Sequence, residues 1–111
     1  MKEVKLFPKQ IANLSVKLCE NKKGVDVKIL DIREKGIVDY FVLCTASSLT
    51  HAQAIAEEIK KELRKKNIFV GHIEGMYPGH WILLDYFSVV IHVFTKEVRD
   101  FYKLEDLWTN I

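Results

Sequence analysis

Residues 38–45, V-D-Y-F-V-L-C-T, carry apolar side chains at odd and even positions alike, so a strand built from them has no face to offer to water. Their β-branched and aromatic content favours a central strand buried on both sides. A small polar loop, T-A-S-S-L-T-H, follows at once and feeds a helix whose Ala52, Ile55, Ile59 and Leu63 recur on one stripe, with Ser47 or Ser48 as its cap. A buried strand, a helix and further strands amount to a crossover, which commits the chain to a sheet with helices packed on it.

The rest of the chain supplies the other layers. Residues 8–22 read as a helix, with Pro8 in its first turn, Ile11, Leu14 and Leu18 at helical spacing, and Gly24 placed to end it. Residues 25–32 alternate as a half-exposed strand, and Arg33 to Gly36 make a polar turn. Asn67 suits a left-handed helix end, residues 68–73 read as extended, and 75–79, with Tyr77 and Pro78, as an exposed turn. Residues 81–85 and 89–94 form two strands joined by Tyr86 to Ser88, a hairpin. Thr95 is placed to cap a short helix through Phe101, and Leu104, Leu107 and Trp108 mark a last helical turn that tucks back. The expected fold is α/β of the mixed α+β kind, a mixed sheet of about five strands with flanking helices, in one domain over residues 1–111.

Charge and aromatics are distributed unevenly. Residues 67–111 hold three basic and six acidic side chains, and residues 1–66 fourteen and nine. Eight of the twelve aromatics, Tyr77, Trp81, Tyr86, Phe87, Phe94, Phe101, Tyr102 and Trp108, fall within residues 71–111. An acidic surface rich in aromatics suits a basic protein partner better than a phosphate backbone. The cluster Lys60, Lys61, Arg64, Lys65 and Lys66 is interleaved with Glu57, Glu58 and Glu62 at ion-pair spacing, which makes it a solvated helix face. With a net charge of +2, no sequence-specific nucleic-acid binding is expected. Cys19 and Cys44 have no metal spacing and read as buried hydrophobes in a reducing compartment. The first ten residues lack signal or transit character, and no apolar run reaches membrane-spanning length, so a cytoplasmic protein without membrane contact is the expectation.

Signals for catalysis are thin. The serine loop has no glycine and no following lysine, so it fits a helix cap better than a phosphate cradle. A metal-assisted transferase would gather Asp31, Asp39, Glu74 or Asp85, yet no D-x-D pair follows the loop, and no metal or cofactor is expected. Asp39 opens an apolar strand and needs a partner, either a backbone amide or His51. His51, His72, His80 and His92 match no ligand or triad spacing, and His92 reads as a hydrogen-bonded core or interface residue.

Trp81 is the residue of most interest. Alternation puts Trp81, Leu83 and Asp85 on one face of their strand, opposite Ile82 and Leu84. If Ile82 and Leu84 join the core, Trp81 and Leu83 emerge beside Tyr77 as an apolar docking patch. The other reading has the first helix or the C-terminal segment covering that face.

The segments D-Y-F-V-L-C-T-A-S-S-L-T-H-A-Q-A-I-A-E-E-I (39–59), G-H-I-E-G (71–75), W-I-L-L-D (81–85), V-I-H-V-F (90–94) and E-V-R-D-F-Y-K-L-E-D-L-W (97–108), in that order and spacing, resemble the ribosomal silencing factor S family, also called Iojap-like. The resemblance covers nearly the whole chain. It implies a nucleotidyltransferase-like topology without the catalytic carboxylates, and action by occlusion. The chain would bind the large ribosomal subunit through its fourteenth protein, at the intersubunit face, and keep the small subunit from joining. The matching positions are Asp39, Ser48, His51, Glu74, Gly75, Trp81, Asp85, His92, Glu97, Arg99, Tyr102, Leu104, Glu105 and Trp108. Three departures stand out: Ala46 where the family often has Gly, Thr50 where it often has Arg, and Phe87-Ser88 where it often has Gly-Asp. Two rivals to this reading are a nucleotide-binding transferase that uses the serine loop with Asp31, Asp39 or Asp85, and a homodimer that buries the Trp81 face against itself.

Overall fold

The computed structural model describes residues 6–109, so the expectations for the first five residues and the last two lie outside it. The element order is α1 (Pro8–Asn21), β1 (Val25–Asp31), a 3-10 turn (Arg33–Lys35), β2 (Tyr40–Ala46), α2 (Leu49–Lys65), β3 (His72–Glu74), β4 (Trp81–Asp85), β5 (Val89–Thr95), α3 (Lys96–Tyr102) and α4 (Leu104–Thr109). The strands form one five-stranded sheet in the order β1-β2-β5-β4-β3. Only β2 and β5 are parallel, Tyr40 aligning with Val89 and Ala46 with Thr95; the other pairs are antiparallel. The expected mixed sheet is therefore present; the doubly apolar run is buried at every position, but it lies second from one edge, beside β5, which takes the middle place.

Each face of the sheet has its own core. On one face, Val42, Cys44, Ile82, Leu84, Ile91 and Val93 meet the α1 and α2 stripes, including Ala52, Ile55, Ile59 and Leu63. On the other, Leu30, Phe41, Leu43, Val90 and Phe94 meet only the short α3 and α4, through Val98, Leu104 and Trp108. The first face is sealed by long amphipathic helices and the second by two helices too short to be stable without packing. This asymmetry leaves β4 partly open on its outer side, where burial alternates along the strand.

Several local expectations shift. Gly24 closes the end of helix α1 as expected, its N–H donating to the Cys19 carbonyl at 2.8 Å, but it is Lys23 that takes the left-handed conformation, at φ 69°. Gly24 is required for space, since a Cβ there would meet Cys44 Sγ at 2.4 Å and the Cys19 carbonyl oxygen at 2.9 Å. Strand β3 is shorter than residues 68–73, because Asn67 turns the chain at φ 67° and pairing with β4 begins at His72 opposite Asp85. Thr95 precedes α3 but makes no side-chain cap bond; it remains in the ladder, and its N–H donates to the His80 carbonyl. Ser48 is the cap of α2, its Oγ accepting the His51 N–H at 3.0 Å. Among the described residues no helix is long and apolar enough to cross a membrane.

Candidate functional site

The outer face of β4 is one row of a grid that the strand register lays down. Across it, Phe94 aligns with Trp81, His92 with Leu83, and Val90 with Asp85. Glu74 and His72 of the edge strand β3 align with Leu83 and Asp85 in turn. Trp81, Leu83 and Asp85 are all half-buried. The expected split between the two faces of β4 forms, since Ile82 and Leu84 are fully buried on the α1 and α2 side.

An unbroken chain of rings crosses this surface. Phe101 meets Tyr102 at 5.0 Å, Tyr102 meets Trp81 at 5.0 Å, Trp81 meets His92 at 5.9 Å, His92 meets Phe41 at 4.6 Å, and Phe41 meets Trp108 at 5.1 Å. The middle of the chain is buried and the Phe101 end is open, with Phe101 80% and Tyr102 54% exposed. The C-terminal helices thus cover part of the Trp81 face and leave the rest to solvent, so neither sequence reading of that face holds alone.

The indole is fixed from below. Trp81 Nε1–H donates to His92 Nδ1 at 3.0 Å, which requires His92 Nδ1 to be unprotonated and leaves the imidazole proton on Nε2. Burial pushes the His92 pKa down to about 4, so the ring is neutral and serves as an acceptor. Its Nε2 is buried and finds no partner. Strand β4 is fixed from the side by Gly75, whose φ of 74° and close approach exclude a side chain: a Cβ there would lie 2.0 Å from the Trp81 carbonyl oxygen. At the rim, Glu74 Oε1 lies 2.8 Å from His72 Nε2, and one Asp85 oxygen accepts the Phe87 N–H at 2.7 Å.

Other residues singled out in the sequence lie elsewhere. Tyr77 is 77% exposed, but its loop is tied to α2, Gln53 donating to the carbonyls of Met76 and Pro78 at 3.0 and 3.1 Å. Helix α2 covers the opposite face of the sheet, so Tyr77 does not join the rings around Trp81. Asp39 opens β2 and His51 follows its far end, so the two do not pair. Asp39 is held through its backbone, its N–H donating to Ser88 O and its carbonyl accepting from Ile32 N–H. The His51 ring instead joins α1 to α2, Nδ1 accepting the Ser47 N–H at 2.9 Å and Nε2 donating to the Lys22 carbonyl at 2.7 Å.

The transferase reading loses its convergence on the same geometry. The loop with Ser47 and Ser48 lines a cleft of about 610 Å³ beyond the ends of β2 and β5, together with Lys23, His80, Lys96 and Glu97. Asp31 aligns with Tyr40 and Asp85 with Val90, which puts both at the opposite end of the sheet, with Asp39. Among the described residues no three His, Cys, Asp or Glu side chains gather closely enough to hold a metal ion.

The sequence reading missed Phe41 and Leu43 as part of the Trp81 face, because a strand apolar on both sides conceals which residues share it. It also gave Arg99 no contact. Arg99 lies beneath the rings, joining α3 to β1, β2 and α4.

The family described as "Ribosomal silencing factor during starvation" matches residues 7–111. A Bacillus subtilis protein named ribosomal silencing factor RsfS is 39% identical over 90% of this chain and 86% of its own. A mouse protein named "Mitochondrial assembly of ribosomal large subunit protein 1" is 30% identical over 87% of this chain and 44% of its own. The crystal structure of a Chromobacterium violaceum protein superposes with a TM-score of 0.90 at 29% identity, covering 93% of this chain and 87% of that one.

Proposed function

The chain belongs to the ribosomal silencing factor family, and from that membership we propose that it docks on the large ribosomal subunit and silences it by occupying the face that the small subunit must meet. The docking partner in this reading is the fourteenth large-subunit protein, contacted by Trp81, Leu83 and Asp85 with Tyr102 beside them. The observation that carries it is the half-open indole of Trp81, held in one orientation by His92 and flanked by exposed Tyr102 and Phe101. A rigid aromatic anchor with a small polar rim is what protein interfaces concentrate their binding energy on. The Asp85 and Glu74 carboxylates at that rim suit a basic partner segment. A relative named for assembly of the ribosomal large subunit supports the choice of subunit. An interface of about 800 Å² per partner is enough for a stable complex, and occlusion by bulk requires no bond to be made or broken.

The test is co-sedimentation of the purified protein with isolated large subunits, followed by addition of small subunits. Binding together with a reduced yield of joined ribosomes is the expected result, and absence from the large-subunit fraction would end the proposal. Trp81→Ala, which removes the anchor, is expected to weaken binding by at least tenfold; it also strips packing from Phe94 and Tyr102 and leaves His92 Nδ1 without its donor, so its unfolding midpoint falls and binding is measured where the variant remains folded.

A further inference from the structure

Arg99 is 6% exposed, and its guanidinium reaches three elements from a fourth. From α3 it donates through Nη1 to the Asp26 carbonyl of β1 and to Thr45 Oγ1 of β2 at 2.8 Å. Through Nη2 it donates to Glu105 Oε2 of α4 at 2.9 Å, with Nε facing Glu105 Oε1 at 3.5 Å. The Arg99 hydrogen bond holds the Glu105 carboxyl below the usual glutamate range. Helices α3 and α4 span seven and six residues, with Lys103 between them in a left-handed turn at φ 47°. Helices of that length have no independent stability, so their orientation must come from tertiary contacts. Leu104 and Trp108 supply apolar packing, which fixes distance well and direction poorly; the planar guanidinium fork supplies direction.

We propose that Arg99, with Glu105, is a positioning residue for docking: the pair sets α3 and α4 as a second wall of the binding surface by holding Tyr102 against Trp81 and Trp108 against Phe41. The partner then meets a corner lined by Trp81 and Leu83 on the sheet and by Phe101, Tyr102 and Leu107 on the helices, and the C-terminal helices contribute contacts as well as closing the core. The exposure of Phe101, Tyr102 and Leu107, three large apolar side chains on thirteen residues of short helix, is otherwise unused by the fold. This rests on the reading that the Trp81 face meets the ribosome.

The experiment measures affinity for isolated large subunits in a double-mutant cycle. Glu105→Gln, which leaves the Arg99 bonds to β1 and β2 in place, and Tyr102→Ala, which does not touch Arg99, are each expected to weaken binding about tenfold, and together clearly less than the product of the two single losses. Arg99→Lys should behave as Glu105→Gln, since a point charge does not reproduce the fork. Amide hydrogen exchange on Glu105→Gln should quicken in α4 and stay slow in β2 and β5, separating lost positioning from lost fold. Full affinity in Glu105→Gln despite a loosened α4, or losses that simply add in the double variant, would overturn the proposal. If the unaltered chain binds and Trp81→Ala binds equally well, the docking face itself is wrong, and the role given to Arg99 falls with it.

Discussion

A neutral, buried histidine beneath an indole ties a titration to the fold. In the folded chain His92 has a pKa of about 4 against an ordinary 6.5, because burial disfavours its charged form. With the folded value depressed, the unfolded chain takes up a proton first as pH falls. Stability is therefore full above about 6.5 and declines between about 6.5 and about 4, below which both states are protonated. At about 1.4 kcal/mol per pH unit the loss across that window is roughly 3 kcal/mol. His92→Asn keeps an acceptor for Trp81 without the titration, so urea unfolding should show a steeper stability loss from pH 7 to pH 4.5 in the unaltered chain than in this variant. Equal slopes would show that His92 does not carry the effect. The sequence pointed to His92 as a buried, hydrogen-bonded residue, but its alternation with Val90 and Phe94 says nothing about which donor lies opposite. That pairing depends on β4 lying antiparallel to β5 in one particular register.

Among the elements, the β4–β5 hairpin closes on a residue in an unfavourable backbone conformation. Tyr86 N–H donates to the Val89 carbonyl at 2.9 Å, closing the turn, and Phe87 stands at φ 71°. A bulky side chain in the left-handed region costs about 1–2 kcal/mol, and at 73% exposure Phe87 recovers little of it through burial. Phe87→Gly is accordingly expected to raise stability by about 1 kcal/mol, read as a higher urea midpoint with unchanged slope; a lower midpoint would mean that the Phe87 ring contributes more than its backbone costs. Elements whose signals are local formed where the sequence put them: Pro8 opens α1, Ser48 caps α2, and the α2 stripe is fully buried. Thr95 shows the limit of such signals, because the β2–β5 ladder runs through it and claims the residue that a cap motif would use.

For the whole molecule, with extents of 45 × 33 × 22 Å, the proposed silencing by occlusion has a quantitative consequence. If bulk alone excludes the second subunit, inhibition follows occupancy and nothing else. Across a set of variants such as Trp81→Ala and Tyr102→Ala, the concentration that halves joining of the subunits should track the dissociation constant for the large subunit in direct proportion. A variant that binds fully yet permits joining would require an additional step after binding. At this scale the division between sequence and structure is also clearest. The amino-acid order by itself determined the helices, the burial of β2 on both faces, the two faces of β4 and the family, because periodicity, caps and motif spacing are local properties of a chain. It left Tyr77 beside Trp81 and Asp39 available to His51, since nothing local states which end of a strand, or which face of a sheet, a loop returns to. Only the tertiary structure decided that α3 and α4 half-cover the Trp81 face, that Phe41 and His92 lie under it, and that Arg99 ties four elements together. Those outcomes depend on strand order and register, where residues as distant in sequence as Asp26, Thr45 and Arg99 come within hydrogen-bonding reach because the sheet brings them there.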